Sequence, residues 1–473
     1  MTTFDDKPKD ECGVVAVFAP EQHAAKLAFY SLQSIQHRGQ ESAGLAASDG
    51  QHLLVHKDMG LVARVFDESS LAALEGHLSI GHVRYSTAGS SIWANAQPAF
   101  TETASGTPLV LAHNGNLTNT GELRELIGDP QESDKCTSDS LLLTTLLKTR
   151  HNGSTLDTLV EVLPLVTGAF SLTLADNQAI YAARDPHGVR PLMLGRLPDG
   201  GWVLASETCG LDIVGAIVVR EIEPGEAIRI DEQGIESRRF AEPTPKFCAF
   251  EYVYIARPDH QTAETSVYRA RFEMGKMLAE QYPVNADVVI GVPDSGAAAA
   301  SGYAFASGIP YAEALQKNRY VGRTFIQPTQ ALRQLGIRMK LNPIHDMIDG
   351  KRLVVVDDSI VRGNTSRQLM DMLRRAGAKE IHLLVSSPPV KWPCFYGIDM
   401  ASRAELIAAD MTTAQMAEYL GADSVGYLSV EGLIKSTGRA AKSLCVACFT
   451  GEYPIAVEDS QMLAGRPEPI RQP

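Results

Sequence analysis

The chain has 473 residues, of which 44% are hydrophobic and 21% charged, and its formal net charge is −13. A globular chain of this length predicts two or three domains, each with a full hydrophobic core. The negative charge argues against general binding to nucleic acid or anionic membranes. No apolar run approaches the roughly 20 residues of a membrane span, and residues 1–11 lack the basic start and apolar middle of a secretory signal. We therefore expect a cytoplasmic protein.

The first part of the chain predicts an α+β domain over residues 12–242. A buried strand is expected at Cys12–Phe18 and a helix at Ala24–Gln36. From there to about Ile230, short strand-like runs dominate and helical patterns interrupt them. This order is typical of antiparallel sheets packed with helices. Residues 1–11, which precede the strand, have no apolar pattern.

A second domain is expected at residues 247–425, after the proline-rich linker Glu242–Lys246. Strand and helix patterns alternate through it, which predicts a doubly wound α/β fold with a parallel sheet. Residues 426–473 form a poorly patterned tail.

The most informative stretch is Leu353–Ser366, which reads LVVVDDSIVRGNTS. Four apolar residues predict a buried parallel strand, and Asp357 and Asp358 stand at its end. A turn containing Gly363 then enters a helix, whose N-terminus offers free N–H groups to a phosphate. The two carboxylates can hold sugar hydroxyls or Mg²⁺. An Asp-Asp pair alone could simply open a turn, but the whole pattern is far more specific.

This stretch resembles the ribose-phosphate signature of the type I phosphoribosyltransferases. The resemblance implies that phosphoribosyl pyrophosphate binds to Asp357, Asp358, Ser359, Arg362, Gly363, Asn364, Thr365 and Ser366. Asn364 stands where this family more often has threonine. A second loop that follows a strand would hold the pyrophosphate through Asp294, Ser295 and Gly296. Ser295 would then join Asp357 and Asp358 around one Mg²⁺ per subunit.

The first domain carries four polar stretches behind a near-terminal cysteine, Cys12. They are His37–Gly44, Gly81–Thr87, His113–Asn116 and Ser138–Asp139. Each alone could be a turn, a helix cap or a set of core histidines, and a lone cysteine is usually a small buried residue. Together they resemble the class II glutamine amidotransferases, which have the layered αββα fold of the N-terminal-nucleophile hydrolases. This chain has Val15 and Ala16 where that family usually has Phe-Gly, a difference that changes packing only.

The resemblance implies that Cys12 attacks the amide carbon of glutamine. Its base would be its own α-amino group, which titrates near ~8. That amine exists only if the bond after Glu11 is cut, so residues 1–11 are predicted to be a propeptide. The side chain of Asn114 and the N–H of Gly115 would form the oxyanion hole. Arg84 would bind the α-carboxylate of glutamine, and Asp139 would bind its α-ammonium group.

Seven cysteines, an odd number, predict reactive or metal-bound thiols rather than disulfides. The Cys445-x-x-Cys448 spacing alone leaves zinc, a redox pair and an iron–sulfur cluster open. With Cys248 and Cys394, the pattern resembles a cluster-bearing branch of glutamine amidotransferases that also has a propeptide. That branch holds one 4Fe–4S cluster per subunit on four thiolates. Cys136 and Cys209 have no companions and are expected in the core.

The combination of domains resembles the amidophosphoribosyltransferase family from Cys12 to about Thr450. The resemblance implies that glutamine is hydrolysed and that its ammonia displaces pyrophosphate from phosphoribosyl pyrophosphate, the committed step of purine synthesis. It also implies feedback by purine nucleotides and a homotetramer. The alternatives are a regulator that senses phosphoribosyl pyrophosphate, an amidotransferase for another sugar phosphate, and an iron–sulfur redox protein.

Between Glu313 and Asp346 the chain has no acidic residue but six basic ones: Lys317, Arg319, Arg323, Arg333, Arg338 and Lys340. A basic run is usually a solvated face. Beside a polyanion site in an acidic protein, we expect instead a lid that closes over the phosphates and excludes water.

Overall fold

The computed structural model describes residues 12–85, 92–318, 341–400 and 402–457. The first domain has the strands β1 Gly13–Phe18, β2 Ser42–Ser48, β3 Leu53–Met59, β4 Leu78–Arg84, β5 Ala99–Glu102, β6 Pro108–Leu117, β7 Gly168–Ala175, β8 Ile180–Arg184, β9 Met193–Arg196, β10 Trp202–Ala205, β11 Ile217–Glu221, β12 Glu226–Asp231 and β13 Gly234–Arg239. Its helices are α1 Ala24–Ser34, α2 Val62–Val65, α3 Glu68–Ala73, α4 Thr120–Ile127, α5 Pro130–Asp134, α6 Asp139–Arg150, α7 Thr155–Val162 and α8 Thr208–Asp212.

The second domain has the strands β14 Phe247–Cys248, β15 Val288–Gly291, β16 Leu315–Lys317, β17 Leu341–Pro343, β18 Arg352–Asp357, β19 Glu380–Val385, β20 Ser424–Tyr427 and β21 Leu444–Cys445. Its α-helices are α9 Val267–Gln281, α10 Gly296–Ser307, α11 Asn364–Arg375, α12 Ile407–Asp410, α13 Thr413–Leu420, α14 Val430–Thr437 and α15 Ala447–Thr450. A π-helical turn, Glu251–Ile255, precedes α9.

Two antiparallel sheets form the centre of the first domain. One has the strand order β11-β9-β10-β1-β4-β2-β3 and the other β13-β12-β8-β7-β6-β5. Side chains alternate along β1, as a strand requires: Val14 and Ala16 pack between the sheets, whereas Val15 and Val17 pack against α1. Leucines of α6 cover the outer face of the second sheet. The layers are therefore αββα, which confirms the predicted architecture.

The second domain is built on a parallel sheet with the strand order β15-β18-β19-β20. The alternating residues of β18 point to both sides of it. Val354 and Val356 pack with α9, α10 and α14, and Leu353 and Val355 pack with α11 and α13. This is the predicted doubly wound α/β fold. Both sheet faces are covered, which explains why the strand reads as a continuous apolar run.

The division expected between residues 425 and 426 runs through β20, which pairs with β19 at the edge of the sheet. The residues up to Thr437 therefore complete the second domain, because α14 packs against it. The sequence signal was weak here because β20 is only four residues long. Further along, β21 pairs in parallel with β14, which ties the tail to the start of the second domain. No helix in the described ranges is long and apolar enough to cross a bilayer.

Candidate active site

A small pocket in the first domain brings together residues that lie far apart in the sequence. Cys12 directly precedes β1, Arg84 ends β4 and Asp139 begins α6. They meet because β1 and β4 are neighbours, with Gly13 opposite Val83, while β6 and α6 close the pocket from the other layers. The full lining is Cys12, Arg84, Tyr85, Gln97, His113, Gly115, Ser138, Asp139 and Ser140.

The thiol of Cys12 is buried, and its Sγ lies 3.4 Å from the carbonyl oxygen of Tyr85. Burial raises the pKa of this thiol to about 11, because a thiolate is poorly stabilised away from water. At neutral pH the sulfur is therefore protonated, and a base must take its proton before it can act as a nucleophile.

Asn114 lies on β6 with no exposed surface. Neither its Nδ2 nor its Oδ1 has a hydrogen-bond partner in the part of the chain that the structure describes. Buried amides are nearly always hydrogen-bonded, and leaving one unpaired costs about 1–3 kcal/mol. The side chain is therefore suited to bind a ligand that completes its hydrogen bonds.

Gly115, the next residue on β6, has φ +145°. A Cβ at this position would lie 2.0 Å from the carbonyl oxygen of Ala169. The backbone of β7 passes so close to β6 beside the pocket that no side chain fits at this position, and only glycine is tolerated.

The polar stretch His113–Asn116 could alone have been a turn, but β6 continues through it. Its residues pair with β7 from Val110 to Leu117. Backbone pairing with a long neighbouring strand outweighs the polar composition of these residues, since the ladder needs only N–H and C=O groups.

Asp139 and Arg84 place opposite charges in the pocket. The Oδ1 of Asp139 accepts from the N–H of Ser140 at 2.8 Å, and its Oδ2 accepts from the N–H of Leu117 at 3.2 Å. Arg84 is buried and pairs with Glu41, with 2.5 Å between its Nη1 and Oε1. A carboxylate and a guanidinium held in one pocket match the two charged groups of a free amino acid.

The second candidate site lies at the carboxyl ends of β15 and β18, where parallel sheets usually bind ligands. The hydroxyl of Ser295 donates to Asp358, and Ser359 donates to the other oxygen of Asp358 at 2.6 Å. The N–H of Asp358 donates to Oδ1 of Asp357 at 2.9 Å. The structure thus brings the two predicted loops into contact, because their strands are adjacent in the sheet.

The remaining predicted residues of this site surround the same strand end. Gly363 has φ +82° and precedes α11, whose first three residues are Asn364, Thr365 and Ser366. Gly296 opens α10. Asp294 is exposed and pairs with Lys317, while Arg362 pairs with Glu405 at 3.2 Å. Of the basic residues expected in a lid, Arg319, Arg323, Arg333, Arg338 and Lys340 lie outside the described residues.

Four cysteines of the second domain and its tail, Cys248, Cys394, Cys445 and Cys448, lie close together. Cys248 and Cys445 are register partners in the β14–β21 pair, and the Sγ of Cys394 accepts from the N–H of Tyr396 at 3.4 Å. Burial raises the pKa of Cys448, and the nearby thiols of the other three raise it further. Within the described ranges, no three His, Cys, Asp or Glu side chains already stand in the arrangement of a metal site.

Comparisons with known proteins match both domains. A model of the glutamine amidotransferase domain matches residues 82–212, and a model of the phosphoribosyl transferase domain matches residues 268–388. An amidophosphoribosyltransferase of Mycobacterium leprae is 56% identical over 467 residues, covering 96% of this chain and 84% of the relative. One from Synechococcus elongatus is 51% identical, covering 96% of this chain and 93% of the relative. The chain belongs to the amidophosphoribosyltransferase family.

The solved structure of the Bacillus subtilis glutamine phosphoribosylpyrophosphate amidotransferase, complexed with ADP and GMP, agrees with this assignment. It matches with a TM-score of 0.89 and 44% identity, covering 95% of this chain and 98% of that one. The chain is thus a transferase of purine biosynthesis that uses glutamine and phosphoribosyl pyrophosphate. The sensing regulator and the amidotransferase for another sugar phosphate find no support among these relatives.

Two residues in or beside the pocket, Gln97 and Glu41, were not assigned a role from the sequence. Gln97 bridges two predicted elements: its Nε2 donates to Ser140 at 3.1 Å, and its Oε1 accepts from the N–H of His113 at 2.7 Å. Nothing in the sequence around Gln97 indicates this role. Glu41 could have been found, since it belongs to the polar stretch after α1, but its partner Arg84 becomes evident only when β2 and β4 pair.

Arg271 was also missed beside the phosphoribosyl site. It is buried in α9 and donates to the carbonyl oxygens of Tyr252 and Ala256, both at 2.8 Å. Burial lowers its pKa to about 10, while the nearby Asp358 opposes that shift. The guanidinium therefore stays charged at neutral pH and contributes positive potential beneath the carboxylates.

Proposed function

We propose that this enzyme makes ammonia at Cys12 and uses it at the carboxyl ends of β15 and β18. The observation that carries the proposal is the amide of Asn114, which has no hydrogen-bond partner among the described residues and stands on β6 between two residues that line the Cys12 pocket, His113 and Gly115. An amide that lacks a partner in the free protein is a preorganised donor for charge that develops during a reaction.

In the first half-reaction, Arg84 binds the α-carboxylate of glutamine and Asp139 binds its α-ammonium group. The sulfur of Cys12 attacks the side-chain amide carbon after its proton passes to the α-amine of the same residue. The negative oxygen that forms is stabilised by the Asn114 side chain and the Gly115 N–H. Collapse releases ammonia and leaves a thioester, which water hydrolyses to glutamate.

This scheme requires that Cys12 be the first residue of the working enzyme, and residues 1–11 are accordingly proposed to be removed. The scheme needs a base close to Cys12, because the raised pKa of its thiol keeps the sulfur protonated at neutral pH. An amine that titrates near ~8 is largely unprotonated in mildly alkaline solution and lies on the same residue as the sulfur it serves. Residues 1–11 themselves lie outside the described part of the structure.

In the second half-reaction, ammonia attacks C1 of phosphoribosyl pyrophosphate and pyrophosphate leaves. The loop Asp294–Gly296 would hold the pyrophosphate, and Ser359 to Ser366 would hold the ribose phosphate at the N-terminus of α11. Ser295, Asp357 and Asp358 offer hard oxygen donors that fit one Mg²⁺, which would neutralise charge on the leaving group.

Two further proposals concern bound groups. The thiols of Cys248, Cys394, Cys445 and Cys448 fit one 4Fe–4S cluster, because they come together from three parts of the chain in a mostly buried site. Neither half-reaction moves electrons, so the cluster would be structural.

The B. subtilis structure contains ADP and GMP, and we propose that purine nucleotides also bind this chain as inhibitors. The homotetramer and the cytoplasmic location stay predictions.

The decisive experiment replaces Cys12 by alanine. We expect Cys12→Ala to abolish synthesis from glutamine while synthesis from ammonium salts stays within about twofold of the unmodified enzyme, since the two sites are separate. Cys136→Ala, which also removes a buried thiol of the first domain, is the matched control and should retain both activities. Retention of the glutamine-dependent activity in Cys12→Ala would refute the proposal.

A further inference from the structure

A cluster of buried charged side chains lies between the two domains, directly behind Cys12. It consists of Arg38 from the turn after α1, Arg190 and Glu207 from the first domain, and Glu251 from the second. All four side chains are 1% exposed or less. We call this group the interdomain ion cluster.

Arg38 connects the cluster to the nucleophile. Its Nε donates to the carbonyl oxygen of Cys12 at 3.2 Å. The other end of its guanidinium faces Glu251, with Nη2 2.7 Å from Oε1 and Nη1 3.0 Å from Oε2. Nη1 also donates to Oε1 of Glu207 at 2.6 Å. Because a guanidinium is planar and rigid, the two-point contact with Glu251 fixes the direction in which Nε points.

Glu251 is itself held from the second domain. It begins the π-helical turn, three residues after Cys248. Arg190 lies on its other side, with 3.7 Å between Nη1 and Oε1. Arg190 also donates to the carbonyl oxygen of Tyr396 from Nε at 3.0 Å and from Nη2 at 2.6 Å. A continuous set of polar contacts therefore runs from Cys12 to two segments that carry the gathered cysteines.

Stability alone does not account for such a cluster. Burial would raise the pKa of Glu251, but the charges of Arg38 and Arg190 outweigh it, so the pKa is lowered and the carboxylate is ionised. Buried ion pairs often contribute no more to stability than well-packed apolar side chains of the same size. What the charges do provide is a fixed geometry beside the reacting residue.

That geometry matters because of what Cys12 becomes. Once residues 1–11 are removed, no peptide bond precedes Cys12, and its backbone is anchored only through its carbonyl group and the strand that follows. The carbonyl carbon, the amine nitrogen and the carbon that bears the sulfur all attach to the same Cα. A group that holds the carbonyl oxygen therefore limits the rotation of both the base and the nucleophile.

We infer that Glu251 is a positioning residue for the glutamine half-reaction, supplied by the phosphoribosyltransferase domain and acting through Arg38. This inference rests on the proposed role of Cys12. Removing the Glu251 charge leaves Glu207 as the one carboxylate bonded to the guanidinium among the described residues, through Nη1. The guanidinium can then turn toward Glu207 and away from Cys12, and the sulfur no longer faces the amide carbon held near Asn114. Glutamine binding by Arg84 and Asp139 is not affected.

The test is Glu251→Gln, which keeps the shape of the side chain but removes its charge. We expect kcat for glutamine hydrolysis to fall by about 100-fold, since misplacement by about 1 Å can have that effect. KM for glutamine should change less than about threefold. Synthesis from ammonium salts, measured on the same preparation, reports that the second domain is folded and should stay within about twofold.

Two variants separate positioning from general destabilisation. Glu226→Gln removes another buried carboxylate, one that pairs with Arg220 and is not part of the interdomain ion cluster, and should leave the ratio of the two activities unchanged. Glu251→Asp keeps the charge and should recover part of the lost kcat. Alkylation of Cys12 by a diazoketone analogue of glutamine should slow in parallel with kcat.

The inference is overturned if Glu251→Gln lowers both activities equally, if only KM changes, or if Glu251→Asp is no better than Glu251→Gln. Cys12→Ala distinguishes this from a failure of the proposed function. If Cys12→Ala is inactive with glutamine while Glu251→Gln is fully active, only the role of Glu251 is wrong. If Cys12→Ala keeps its glutamine-dependent activity, the proposed function itself is wrong.

Discussion

Gly397 of the second domain lies against Gly115 of the first, and a Cβ added to Gly397 would stand 3.2 Å from the Cα of Gly115. The two domains thus touch at backbone level beside the residues proposed to form the oxyanion hole. The same interface carries a hydrogen bond from the side chain of Asn116 to the carbonyl oxygen of Phe395 at 2.9 Å. The strand that bears Asn114 is therefore held from both domains.

Gly397→Ala should impair the glutamine half-reaction selectively. Its φ of +116° strains any side chain, at a cost of about 1–3 kcal/mol, and the new methyl group also presses on Gly115. Gly421→Ala is the control, because Gly421 has φ +78° and open space around it. We expect thermal unfolding to shift down in both variants, but the ratio of glutamine to ammonia activity to fall only in Gly397→Ala. An unchanged ratio would show that the contact is not used.

Asn114→Ala should lower kcat for glutamine hydrolysis by about 10²–10³-fold, the usual effect of losing one oxyanion donor. Asn114→Asp should be worse, because a carboxylate repels the developing negative charge. KM for glutamine and the ammonia-dependent rate should change little. The exposed Asn152 provides the control substitution, Asn152→Ala, with no expected effect. Steady-state kinetics with both nitrogen donors decide the matter, and a large rise in KM at constant kcat would assign Asn114 to substrate binding instead.

The double variant Asp357→Asn/Asp358→Asn should have the opposite effect to that expected of Cys12→Ala: it should lose synthesis and keep glutamine hydrolysis. The neutral amides lose the negative charge that is proposed to bind the ribose hydroxyls and Mg²⁺, so synthesis should fall more than about 100-fold with either nitrogen donor. Basal hydrolysis of glutamine should survive, because the first site is intact. Asp287→Asn is the matched control, as this carboxylate pairs with Arg352 at the start of β18, away from the site. Unimpaired synthesis in the double variant would remove both residues from the proposed mechanism.

The pH dependence of glutamine hydrolysis should follow the α-amine of Cys12. Burial raises the pKa of the thiol to about 11, so the sulfur stays protonated across pH 6–9 and needs a base. The amine accepts that proton only when it is itself unprotonated, so kcat/KM should decrease as the pH falls below ~8. In protein that retains residues 1–11, alkylation of Cys12 should instead increase toward pH 11. A flat profile between pH 6 and 9 in the mature enzyme would contradict this assignment.

The iron content of variants tests the cysteine site. Protein purified without oxygen should contain about four iron and four sulfide ions per chain, the composition of a 4Fe–4S centre. Cys448→Ser should lose the iron and unfold at a lower temperature, because the tail is then joined to the second domain by fewer bonds. Cys136→Ser removes a thiol outside the site and should keep the iron. Iron-free wild-type protein of full stability would argue against the cluster.

The parts of the fold that could be predicted are those with strong local signals. The first strand, expected at Cys12–Phe18, and the first helix, expected at Ala24–Gln36, differ from prediction by one and two residues. The prediction failed where pairing with a neighbouring strand determines whether a segment is a strand. Strand β6 runs through the polar residues after Ala112 because β7 pairs with it, and β20 joins the sheet although it is short.

The amino-acid sequence by itself determined the two chemistries. The near-terminal Cys-Gly with the polar stretches that follow it, and the Asp-Asp loop after an apolar strand, are local patterns whose resemblance to known families predicts a thiol nucleophile and a phosphate site. Only the tertiary structure decided what surrounds them: that Gln97 bridges His113 and Ser140, that Asp358 receives the hydroxyl of Ser295, and that Glu251 reaches Arg38 behind Cys12. Such contacts join residues tens to hundreds of positions apart, and burial and direction, which no local pattern encodes, select them.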